Sequence, residues 1–373
     1  MTLRILQLVG SATSDFYCDL SRLYAQDCMN ALHAPARYTF LIAYVTPDGK
    51  WRFPRSLNEA DIAAAQPVPI SVAIGRLTQL SIDIALPQMF CLSGMTDYRA
   101  LLRLLKIPFV GNLPAQMAIA ADKARTKSIV ASAGVRVPAG ELLRIGDRPT
   151  ISPKSIVKPN TADNSLGISL VERTQNYQAA LDNAFKHSPE VLVEAFIELG
   201  REVRCGVIVQ NGELVCLPLE EYRVDSHTRP IRTYDHKLKM NTHNKLDFSA
   251  KDGIQSWVVA DDDPDMPAVW EAAKRCHKAL GCRHYSLFDF RIDACGQPWL
   301  LEAGLYCSFA PKSVIVSMAQ AAGISLQSFF EQTLQACLER EKPSEESSIK
   351  KKSLKERTSQ ERTSQERTLW PAL

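Results

Sequence analysis

With 373 residues, 46% of them hydrophobic, the chain can bury several cores and has room for two or three packed units, which excludes a disordered or miniature protein. From Glu341 onward eight Lys or Arg stand against six acidic residues, so this tail supplies +2 of the formal +3 charge and the rest is nearly neutral. Its basic residues are dispersed and not interleaved with aromatics, which excludes the electrostatic footprint of a nucleic-acid binder.

The start, MTLRILQLVGSATSDF, lacks the basic, apolar and small-residue succession of a secretory signal, and no apolar run reaches 18 residues. The expectation is therefore a cytoplasmic protein with no membrane partner. Leu3 to Val9 reads as a strand, Gly10-Ser11 as a turn, and Leu20, Leu23 and Tyr24 as one face of a helix. Strands at Phe40 to Val45 and Ile82 to Leu86 alternate with helices at Ile70 to Leu80 and Thr96 to Leu105, the pattern of an open, parallel α/β sheet. These residues, 1–112, form the first expected domain.

A second domain, 113–200, opens with PAQMAIAADKARTKSIVASAG, which reads as one long helix capped by Gly134. Short strands follow around Ile156 to Lys158, Ile168 to Leu170 and Val191 to Glu194, with a helix near Asn176 to Lys186, as in a small α+β module. The third domain, 201–340, carries strands at Val203 to Val209, Glu213 to Leu219, Ser286 to Ile292 and Pro298 to Glu302, and a helix at Ala268 to Leu280. The ten cysteines fall in these elements without a C-x-x-C pair and read as small buried hydrophobes rather than a disulfide or zinc framework. The tail 341–373 repeats ERTSQ and is expected to be disordered, because it cannot offset its ordering entropy by burial.

Three segments carry chemistry. In SIVKPNTADNSLGIS, Lys158 ends an apolar strand and the small polar loop Asn160 to Gly167 follows, which suits backbone N–H groups and a lysine cradling phosphates; the alternative is a polar hairpin with a surface lysine. In VLVEAFIELGREVRC, carboxylates Glu194, Glu198 and Glu202 stand in an apolar stretch, where a nucleotide would supply hydrogen-bond donors, or Arg201 and Arg204 ordinary ion pairs. In SLFDFRIDACGQPWLLEAG, a turn at Ala294 to Gln297 would bring Asp289 opposite Glu302, with Arg291 on the same face. Two facing carboxylates among apolar residues need a cation, and Mg²⁺ held by carboxylates and nucleotide phosphates meets that need.

In this order the three segments resemble the ATP-grasp superfamily, most closely the D-alanine:D-alanine ligases, over roughly Leu3 to Arg340. The resemblance implies a three-domain ATP-grasp fold: an open Rossmann-like sheet, a small central lid and a larger C-terminal domain. It implies ATP and one or two Mg²⁺ as cofactors, with Lys123 and Lys158 on the phosphates, Asn164 and Ser165 in the closing loop, and Glu194, Phe196 and Ile197 around adenine. Glu202 would take the ribose, Lys237 the phosphates, and Asp289 and Glu302 the metal. A homodimer is also implied.

Departures from that family point to a different acceptor. The dipeptide ligases usually read Glu-x-Asn where this chain reads Glu302-Ala303-Gly304, and place an arginine two residues before the metal aspartate where it has Leu287. Arg291, Arg283 or His284 would then stand in for that arginine, and Lys312, Ser313 and Arg291 would meet substrate carboxylates. The segments LVGSATSDFYCDL, LPQMFCLSGMTDY, RHYSLFDFRID and EAGLYCSFAPKSVI resemble the cyanobacterial homologues that make ultraviolet-absorbing mycosporine-like amino acids. That resemblance implies phosphorylation of the ring carbonyl oxygen of mycosporine-glycine and condensation with an amino acid. The alternatives are a dipeptide ligase working through an acyl phosphate and a non-catalytic nucleotide-binding protein.

Overall fold

The computed structural model describes residues 2–162, 165–198, 200–225, 228–232, 239–240, 246–247, 256–260 and 262–341. The chain begins with β1 (Leu3–Gly10), α1 (Asp15–Ala31), β2 (Tyr38–Val45), β3 (Trp51–Arg52), α2 (Glu59–Ala64), α3 (Ile70–Gln79), β4 (Ile84–Pro87), α4 (Leu92–Met95) and α5 (Asp97–Leu104). The sheet runs β3-β2-β1-β4, with β1 parallel to both β2 and β4 and only the short edge strand β3 antiparallel. Ile5, Leu6, Leu8 and Val9 are all fully buried, as expected of a central parallel strand covered on both faces. At its end Gly10 has φ +100°, and a Cβ there would lie 2.0 Å from the Val45 carbonyl oxygen. Only glycine fits this turn.

The predicted long helix is two helices, α6 (Pro114–Ala121) and α7 (Lys123–Ser132). Asp122 sits between them in extended conformation and accepts from the Arg125 N–H as the N-cap of α7. Capping has outweighed helix propensity here. Gly134, at φ +79°, terminates the pair as expected.

A small antiparallel sheet follows, built from β5 (Gly140–Arg144), β6 (Ser155–Pro159), β7 (Ser169–Val171) and β8 (Glu190–Ala195), in the order β5-β8-β6-β7. Helix α8 (Tyr177–Phe185) closes its core against Val157, Val171, Val191 and Val193.

The larger sheet contains β9 (Arg201–Gln210), β10 (Glu213–Cys216), β11 (Glu220–Tyr222), then beyond a separate two-stranded pair, β12 (Lys239–Met240) and β13 (Leu246–Asp247), β14 (Ser256–Val258). After α9 (Met266–Ala279) it is completed by β15 (Tyr285–Ile292) and β16 (Pro298–Gly304), giving the antiparallel order β14-β11-β9-β15-β16 with β10 also on β9. Helices α10 (Val314–Ala321) and α11 (Leu326–Glu341) end the described chain.

Two cores flank this sheet. On one side Val203, Cys205, Phe288 and Phe290 pack with α9 and with Met117 and Val130 of α6 and α7. On the other, Tyr285 and Ile208 pack with Phe309, Phe329 and Phe330, and the same cluster reaches Ile5, Leu32 and Ile84 of the N-terminal sheet and its helix. The odd-numbered face of β15 is therefore apolar at Tyr285 and Leu287 and becomes ionic at Asp289 and Arg291. That change of character marks where core ends and site begins.

Of the tail predicted to be disordered, Glu341 ends α11, while residues 342–373, Asn164 and Lys237 lie outside the described residues. No helix among the described residues is long and apolar enough to cross a membrane.

Candidate active site

A cleft of about 770 Å³, open to solvent, lies between the small sheet and the larger one. Lys123, Lys158, Ser165, Glu194, Ile197, Glu202, Arg232, Asp289, Arg291 and Glu302 line it. Residues separated by up to 179 positions are thus gathered from all three strongly predicted segments.

Its lysine end is built by the helix break. Lys123 and Lys127 are four apart on α7 and share a face. Asn160, fully buried just beyond β6, accepts from the Ala124 N–H through its side chain and from the Lys123 N–H through its carbonyl, while its amide donates to Asp122. This ties the N-terminus of α7 to the small sheet. Lys123 Nζ then reaches the Ala162 carbonyl at 2.5 Å and Glu302 at 3.4 Å.

Glu194 on β8 lies diagonally across from Lys158 on β6 and receives two ammonium groups, Lys158 at 2.7 Å and Lys127 at 2.6 Å. Burial opposes ionisation of Glu194, but the two lysines outweigh it and hold its carboxyl below the usual range. Burial also pushes Lys127 down to about 8, against the opposing pull of Glu194. Lys127 was not among the sequence candidates. Its i, i+4 relation to Lys123 is the signal that could have found it.

The opposite end is held by Glu202 and Arg291, register partners on β9 and β15 and paired at 2.9 Å. Arg291 also donates to the carbonyls of Ile197 and Pro230, and its guanidinium lies 4.9 Å from the centre of the Phe196 ring. Arg232 approaches Glu202 at 3.7 Å and stacks on Tyr222. The structure thus brings Arg291 into the cleft but commits it to Glu202 and the Phe196 to Ile197 segment, away from the role of substitute oxyanion arginine. Arg283 and His284 are turned elsewhere: Arg283 donates to the Phe109 carbonyl, and His284 Nδ1 accepts from the Gly111 N–H. Lys312 is exposed, Ser313 occupies the N-cap position of α10 without a side-chain capping bond, and neither lines the cleft.

Between the two ends, the predicted turn brings Asp289 into register with Glu302, and on the other side Asp289 is in register with Arg204. Arg204, not a site candidate from sequence, donates to both Asp289 oxygens at 2.5 and 2.7 Å. Burial disfavours its charge, yet Asp289 holds its pKa well above the ordinary arginine value. Ion pairs also fix the base of this sheet, where Arg201 binds Glu221, Asp263 and Asp265 at 2.7 to 2.8 Å.

The donor set fits a hard divalent cation. Asp289 and Glu302 stand in register on adjacent strands and both line the cleft, and no group of three or more His, Cys, Asp or Glu side chains that could hold a metal occurs among the described residues. A cation there would complete its shell with nucleotide phosphates and water. Lysines at one end, carboxylates at the centre and the Glu202–Arg291 pair at the other line one cleft between two antiparallel sheets, which is the ATP-grasp architecture of a C–N bond-forming ligase.

Comparison with known proteins agrees. The family model described as the D-ala D-ala ligase C-terminus matches residues 151–335. D-alanine–D-alanine ligase of Citrifermentans bemidjiense is 30% identical over 244 residues, covering 64% of this chain and 73% of that protein. The Mycobacterium avium enzyme of the same name is 28% identical over 339 residues, covering 82% and 89%. The chain belongs to the D-alanine–D-alanine ligase family. Among solved structures, the VanG D-Ala:D-Ser ligase of Enterococcus faecalis superposes with TM-score 0.73 at 22% identity, covering 90% of this chain and 99% of that one. The Bacillus anthracis D-alanine–D-alanine ligase complexed with ATP gives 0.66 at 20% identity, covering 91% and 99%, so the fold is shared throughout the described chain.

Proposed function

We propose that this chain uses Mg-ATP to phosphorylate an oxygen of a small acceptor, after which the amine of an amino acid displaces phosphate and forms the C–N bond. The convergence of Lys123, Lys158, Glu194, Glu202, Asp289 and Glu302 on one cleft is the observation that carries this reading. Lys123 and Lys158 would meet the phosphates, Glu202 the ribose hydroxyls, and the strand end at Ala195 to Ile197 the base, with Ser165 in the closing loop. Asp289 and Glu302 would hold Mg²⁺, which when bound neutralises charge on the transferred phosphoryl group. The protein supplies no nucleophile. It positions reactants and excludes water, and positioning of this kind is worth roughly 7 to 11 kcal/mol.

Two acceptors divide the reading. The comparisons back an amino-acid carboxylate, activated as an acyl phosphate, better than any other, since the relatives named above are D-alanine-type ligases. A second acceptor, the conjugated ring carbonyl of mycosporine-glycine, is favoured by what flanks the metal position. Leu287 stands in register with Gly206 and Gly304, so the strand carries neither the arginine nor the asparagine that the dipeptide enzymes use there. Nearby, Tyr24, Phe90 and Tyr306 form a run of rings with centroids 5.4 and 5.5 Å apart, an apolar wall suited to a planar ring.

The test is incubation with Mg-ATP and an amino-acid pool, with and without mycosporine-glycine, following ADP and ultraviolet absorbance together. ADP release with a red-shifted absorbance maximum, dependent on mycosporine-glycine, assigns the ring acceptor. Release from amino acids alone assigns the dipeptide reaction. Absence of amino-acid-dependent ADP in both overturns the proposal.

A further inference from the structure

Arg204 has the surroundings of a working charge rather than a strut. Its side chain is 16% exposed, and its guanidinium lies 5.3 Å from the centre of the Tyr222 ring. Its side chain shares a sheet face with Asp289 and, one strand further, Glu302, because register partners in antiparallel strands project to the same side. Lys123 closes that row from the helix. Two cations therefore flank two carboxylates along one row, in the order Arg204, Asp289, Glu302, Lys123.

Both Asp289 oxygens are engaged by Arg204, and a divalent cation at Asp289 and Glu302 draws on the same lone pairs. The bidentate pair and full metal ligation compete. Whatever share of Asp289 the guanidinium gives up leaves Glu220, its register partner on β11, as counter-charge and frees N–H donors for another anion. Of the anions the reaction brings, the phosphoryl group and the acceptor oxygen that receives it are those that meet the metal carboxylates of this row.

Resting on the ligase reading above, we propose that Arg204 is the anion-holding residue of the transferred group, and that its pair with Asp289 keeps it charged and aimed until the reactants occupy the row. It supplies from β9 the guanidinium that β15 lacks at Leu287. Arg204 would then tighten on the phosphoryl group in flight more than on the nucleotide at rest, because the charge it meets is concentrated at the transfer point.

The experiment is calorimetric binding of Mg-ADP with and without aluminium fluoride, a mimic of the transferring phosphoryl group, to wild type, Arg204→Met and Arg204→Lys, with thermal unfolding as the folding control. In wild type aluminium fluoride should tighten Mg-ADP binding. Arg204→Met should bind Mg-ADP alone as well as wild type or better, since Asp289 is released, yet lose about 100-fold of the added tightening. Arg204→Lys, which keeps the charge in smaller and less directional form, should recover part of it and stands in if the Met variant does not fold. Loss of Mg-ADP affinity in step with the aluminium fluoride effect would make Arg204 a structural part of the metal site and overturn the proposal, as would full tightening in both variants. Wild-type tightening without amino-acid-dependent turnover would strike the ligase reading while leaving Arg204 as an anion holder.

Discussion

Arg291 illustrates how a partner fixes a role. Its ties to Glu202, the Ile197 and Pro230 carbonyls and the Phe196 ring place it where ribose and base would rest. Arg291→Met should accordingly raise KM for ATP by roughly tenfold to a hundredfold, the worth of a lost charge-assisted bond, with a smaller change in kcat. Steady-state kinetics with ATP varied checks this, and a fall in kcat at unchanged KM would refute it. Lys127 gives a pH signature. Its folded pKa is depressed to about 8, so between about 8 and its unfolded value the unfolded chain binds more protons and stability rises with pH. Loss of its ammonium removes one positive charge from the lysine end of the cleft through the same window. Nucleotide affinity should fall above about pH 8 while thermal stability rises, and Lys127→Arg should move the first effect to higher pH. Glu194 works at the other end: its depressed pKa contributes stability above the ordinary carboxylate value that is lost as pH falls through the folded value. The Asp289 and Glu302 pairing was legible because period-two alternation and a four-residue turn fix it locally. Arg204 was not, because its partner lies 85 residues away and no local pattern points to it.

At the scale of elements, the break at Asp122 does most to shape the cleft. A continuous helix from Pro114 to Ser132 is what the Ala- and Lys-rich composition favours, and the sequence signal against it is a single capping residue. Asp122→Ala removes both the cap and the bond to Asn160, and should cost roughly 1 to 2 kcal/mol of stability. The effect on KM for ATP should be larger than that cost alone predicts, because Lys123 and Lys127 lose their common anchor. Asp122→Asn, which can still cap, separates the two effects: retained stability with weakened ATP use would show that the carboxylate matters beyond the cap. The turn after β1 is equally exacting. Gly10→Ala puts a methyl into the Val45 carbonyl at positive φ, and chemical denaturation should show a loss of about 2 kcal/mol or more. Strand and helix types were mostly readable from periodicity, whereas this break and the separate short strands of the large sheet were set by tertiary contacts.

Across the whole molecule, the core around Phe309, Phe329 and Phe330 joins α10 and α11 to the large sheet and to Ile5, Leu32 and Ile84 of the N-terminal sheet and its helix. Nothing in the sequence of α11 announces a partner 300 residues away, so the expectation of three units said little about how they share a core. Phe330→Ala should cost about 3 to 5 kcal/mol. Because the cluster spans both ends of the chain, N-terminal and C-terminal probes should shift to lower denaturant together. Separate transitions would show that the N-terminal sheet stands alone.

The charges of the cleft answer one another: Lys127 and Lys158 with Glu194, Lys123 with Glu302, Arg204 with Asp289, Arg291 with Glu202. With Arg232 also beside Glu202, six cations stand against four carboxylates, and beyond a Debye length, about 10 Å in moderate salt, the field of that small excess is largely screened while a nearly neutral body adds little more. A polyanionic nucleotide is then not drawn in from a distance; it is recognised after arrival, by exchange of internal partners. Its association rate should rise only as ionic strength falls well below physiological in stopped-flow measurements, and selectivity should reside in how long it stays.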